Sequence, residues 1–154
     1  MSRLACVDLT AFPLQLLLRQ HSEWAEFPVA VVEADKPQAK VLWACERARA
    51  LGVLPGLRYA HALGLAAGLC AGVVSSELIR GEVLRVAERL RELSPDVEPY
   101  AEEPGVFWLS GAGLGGLHRS ASAWGRAIVG ALEAAGYRGS VVVGFTRFGS
   151  YAVS

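Results

Sequence analysis

A chain of 154 residues with 53% hydrophobic and 19% charged residues carries enough apolar material for a sizeable core, which excludes a disordered chain. Fifteen Lys and Arg balance fifteen Asp and Glu, so there is no net basic field, and any grip on nucleic acid has to be local or supplied by another region. Cys6, Cys45 and Cys70 are odd in number, form no CxxC pair and sit in apolar contexts, which reads as reduced core thiols rather than disulfides or metal ligands.

Residues 3–8 predict a short buried strand that ends on the carboxylate of Asp8, and that acid interrupts the only candidate for a secretory leader. Leu14, Leu17 and Leu18 have helical spacing, with Pro13 tolerable in the first turn and His21-Ser22 at the end. Pro28 opens a second strand over 29–32, followed by an exposed polar loop over 33–38. A third strand over 41–43 runs into a helix over 44–51, stopped by Gly52. After Pro55-Gly56 comes a weak Ala/Leu/Gly helix from about 59 to 67. The longest apolar stretch, 63–74, is too short and too rich in Gly to span a membrane, which leaves a cytosolic protein as the plain reading. Residues 20–75 read as a small, locally connected subdomain.

From Ser76 the pattern changes. Ile79, Val83, Val86, Leu90 and Leu93 form one apolar stripe at helical spacing, with mixed charges on the other faces, Ser76 as the expected N-cap and Ser94-Pro95 as the stop. Mixed charge of this kind marks a solvated face. Residues 97–110 predict a hairpin: one arm ends in the adjacent acids Glu102 and Glu103, Pro104-Gly105 turns, and residues 106–109 return as a largely buried strand. Residues 111–116 read as a flexible loop whose glycines match no phosphate-binding fingerprint. Trp124, Ile128, Ala131, Leu132 and Ala135 mark a second long helix ended by Gly136, and 141–143 a last buried strand. Residues 147–154 read as a helix that starts and is then cut, as in a fragment of a longer protein.

Apart from residues 20–75, the order is strand, helix, strand, strand, helix, strand. This predicts an α+β fold: a ferredoxin-like sheet with helices on one face and a small inserted α/β subdomain. The first strand and one hairpin strand become central neighbours, which brings Asp8 towards Glu102 and Glu103. Three acids at one sheet edge are the donor type that two-metal nucleotidyl transfer uses. Two plainer readings stand beside it: exposed acids are common at turns, and Asp8 is equally suited to capping the helix that follows it.

Four stretches resemble, in order and spacing, the motifs of Y-family (translesion) DNA polymerases. Val7-Asp8-Leu9-Thr10-Ala11-Phe12 stands at the first acidic motif, Asp-x-Asp-x-Phe; Arg47 to Val53 with Pro55-Gly56 stands at the fingers run. Ser94 to Leu109 stands at the Ser-x-Asp-Glu strand pair, and Gly144 to Phe148 at the Gly-Ile-Ser-x-Asn position. The chain looks like the palm and fingers of that family and is most similar to its ImuB branch. The resemblance implies a palm-like domain at 1–19 and 76–154 and a fingers-like subdomain at 20–75, with thumb and little finger absent.

Against the family pattern, Thr10 replaces the second acid, Pro13 stands at an aromatic sugar-selecting position, and Glu46 at a Tyr that contacts the triphosphate. Glu102 replaces the key Asp, Glu103 matches its neighbour, and Val153 falls near a phosphate-binding Lys. The expectation is a degenerate site: Asp8, Glu102 and Glu103 as vestigial palm acids without metal or cofactor, and Phe12 and Arg49 as a nucleotide-binding remnant. The alternative is an active low-fidelity polymerase holding Mg²⁺ or Mn²⁺ on Asp8, Glu102 and Glu103. The resemblance further implies a bacterial, cytoplasmic scaffold, nucleoid-associated when engaged, with weak DNA binding of its own and no membrane attachment. Its expected partners are an error-prone C-family DNA polymerase, a RecA-like protein and the sliding clamp, met mainly through regions beyond Ser154.

Overall fold

The computed structural model describes residues 3–111 and 120–144. Residues 112–116 of the expected loop at 111–116, the motif residues 145–148, Val153 and the helix start at 147–154 lie outside the described residues. The chain divides into two compact units, residues 1–10 with 80–154, and residues 11–79.

The first unit is built on a four-stranded antiparallel sheet. Strand β1 (Leu4–Asp8) is central, between β6 (Val106–Ser110) and β7 (Ser140–Gly144), and β5 (Asp96–Pro99) pairs with β6 on its far side. This is the strand order of the ferredoxin-like layout inferred from connectivity. Side chains opposite one another across the ladder share a face. Ala5 and Val7 therefore lie on one face with Leu109, Phe107, Val143 and Val141, while Cys6 and Asp8 lie on the other with Trp108, Val106, Val142 and Ser140.

Helix α5 (Ala121–Ala134) packs on the Ala5/Val7 face beside Val141 and Val143, burying Trp124, Ile128 and Leu132. Its N-cap is Ser120, whose Oγ accepts from Ala123 N at 3.1 Å. The other long helix, α4 (Ser76–Leu90), buries Val86, Ala87 and Leu90. Its cap is Ser75, one residue before the expected Ser76: the Ser75 Oγ accepts from Leu78 N at 3.1 Å. Trp124 Nε1 donates to Leu93 O at 2.9 Å just past α4, and the Tyr137 hydroxyl donates to Glu82 Oε2 at 2.6 Å. Buried Ser94 donates from Oγ to Ser110 O at 2.6 Å, which ties the end of α4 to β6.

The second unit contains α1 (Phe12–Gln20), a short 3-10 helix at Ser22–Glu26, and a sheet in the order β3 (Val41–Ala44), β2 (Val29–Val32), β4 (Cys70–Gly72). Helices α2 (Glu46–Ala50) and α3 (Tyr59–Leu65) complete it. β2 is an unbroken apolar run because both of its faces are covered. Ala30 and Val32 join a cluster with Val41, Ala48, Val53 and Ala62, while Val29 and Val31 join Leu14 and Leu17 of α1. β4 was not expected. It pairs parallel to β2, and Gly72 leaves room for Leu17, whose methyl a Cβ there would strike. The three cysteines are free thiols, Cys6 buried and Cys45 and Cys70 half-buried. Among the described residues no helix is long and apolar enough to cross a membrane.

Candidate active site at the acidic hairpin

Register alone carries the hairpin turn to Asp8. Asp8 pairs with Val106, and Leu9 N donates to Gly105 O at 2.8 Å, so residues 100–105 lie beside the end of β1. The turn is closed by Tyr100 N to Val106 O at 2.9 Å, with Gly105 at φ 98°, a left-handed conformation that suits glycine. On the other side of β1, Gly139 precedes β7 so closely that a Cβ there would collide with the Asp8 carbonyl.

The three acids do not behave alike. Asp8 is half-buried, and its carboxyl is held above the usual carboxylate range, first by burial and then by the charge of Glu103. Glu103, rather than Glu102, is thus the acid that Asp8 senses. Glu102 is exposed, and its Oε2 accepts from the Tyr100 hydroxyl at 3.0 Å. That bond, more than the nearby charges, raises the Tyr100 phenol above its ordinary value. Tyr100 was not singled out from the sequence; its position two residues before Glu102 at a hairpin end was the available signal. Asp8 does not cap α1: the N-cap is Ala11 in the left-handed region at φ 47°, without a side-chain bond.

Phe12 and Arg49 belong to the other unit. Phe12 is 1% exposed at the start of α1, and Arg49 Nε donates to Ala44 O at 3.0 Å at the end of β3. Arg47 Nη2 lies 3.4 Å from Glu26 Oε2, while Glu46 is exposed at the start of α2.

Two divalent ions engaged in nucleotidyl transfer sit roughly 3.5–4 Å apart and share carboxylate oxygens. Among the described residues no group of three or more His, Cys, Asp and Glu is placed to hold a metal ion. One pair of acids, Asp8 and Glu103, is close enough to interact; Glu102 is engaged by a phenol, and Thr10 supplies no charge.

The profile of the impB/mucB/samB family matches residues 7–150. No curated protein matches the chain. Among solved structures, DinB from Sulfolobus solfataricus is similar with a TM-score of 0.79 at 18% identity, over 94% of this chain and 42% of that one. A Dbh ternary complex gives 0.80 at 18% identity, over 97% and 43%. A post-insertion binary complex of Dbh DNA polymerase gives 0.78 at 19% identity, over 92% and 42%. The chain spans less than half the length of these structures, and at such identity the likeness establishes the fold. With the family profile running through 7–150, on a fold shared with Y-family DNA polymerases, the chain belongs to the impB/mucB/samB family.

Proposed function

We propose that this chain is a catalytically degenerate polymerase-like module of the ImuB branch, acting as a scaffold in damage-induced mutagenesis and translesion synthesis. The observation that carries the reading is the hydrogen bond from the Tyr100 hydroxyl to Glu102 Oε2 at 3.0 Å. Glu102 stands where the family pattern has its key acid, and its carboxylate accepts this bond from its own hairpin, while the charge that raises the Asp8 carboxyl is that of Glu103. A misplaced catalytic group costs on the order of a hundredfold in rate, and Thr10 removes a further acid.

In this reading the module needs no metal or cofactor and works by protein contacts. Its partners are an error-prone C-family DNA polymerase, a RecA-like protein and the sliding clamp, engaged mainly through regions beyond Ser154. It operates in the bacterial cytoplasm, at the nucleoid when engaged. The competing reading, an active low-fidelity polymerase, draws on one observation, the proximity of Asp8 and Glu103.

Primer extension by the full-length protein in Mg²⁺ and in Mn²⁺, beside Asp8→Ala, separates the two. No extension in either metal is the expected result. Synthesis that disappears in Asp8→Ala overturns the scaffold reading.

A further inference from the structure

We draw no further inference here: the strongest candidate, the surface patch of exposed leucines that Leu51 and Leu54 after α2 form with Leu65 of α3 in the second unit, carries nothing because nothing in the structure shows what covers it.

Discussion

Burial and the charge of Glu103 both disfavour the ionised form of Asp8, so the folded chain keeps that proton to a higher pH than the unfolded chain. Below the ordinary value of 3.8 both states are protonated and Asp8 makes no difference to stability. As pH rises from 3.8 through the raised folded-state value, the native state binds more protons than the unfolded one, and stability falls. Asp8→Asn is therefore expected to stabilise the chain at neutral pH, by less than about 1 kcal/mol because the site is partly open to solvent. It should also flatten the decline across the weakly acidic range. Urea unfolding at several pH values checks this; a less stable Asn variant at neutral pH would mean that the carboxylate has found a compensating cation.

Single elements in this fold are held by a few specific contacts on top of apolar burial. Trp124 is 2% exposed and its indole N–H reaches Leu93 O at 2.9 Å, binding α5 to the exit of α4. Trp124→Ala should cost about 3–5 kcal/mol in urea unfolding. Trp124→Phe should cost about 1–3 kcal/mol, because it keeps much of the apolar contact but leaves a carbonyl without its donor; a cost near zero would assign the role to packing alone. Trp124 was readable beforehand as a core residue through its spacing with Ile128 and Leu132, whereas its hydrogen-bond partner was not, since Leu93 is distant in sequence. The same division runs through the molecule. Strand order followed from the alternation of strands and helices, because connectivity allows few layouts. β4 was missed because three residues are too few to show a period and its pairing with β2 is tertiary. At the site, the approach of the hairpin to Asp8 was legible from the apolar runs, but the choice between Glu102 and Glu103 was not. Adjacent residues leave a turn in different directions, and the Tyr100 bond that fixes Glu102 depends on the turn geometry.

At the scale of the whole molecule, charge is balanced unit by unit. Residues 11–79 contain six basic and six acidic side chains, and the remainder contains nine of each. Neither unit therefore carries a net field that would draw in a polyanion, and the charged face of α4 mixes both signs, with Arg85 on Glu82 at 2.8 Å and Arg91 on Glu88 at 3.0 Å. A protein that neutralises many phosphates shows steeply salt-dependent affinity, with a log–log slope near −0.9 for each phosphate contacted on duplex DNA. For this chain the expected result with primer–template DNA is a dissociation constant weaker than about 10⁻⁶ M at physiological salt, with a slope no steeper than about −2. Fluorescence anisotropy over a salt series measures both quantities. Tight binding with a slope of about −6 would show that the arginines cluster into a phosphate-tracking surface despite the balanced totals. The chain would then act on nucleic acid directly, and the reading that it works through protein contacts would lose its electrostatic footing.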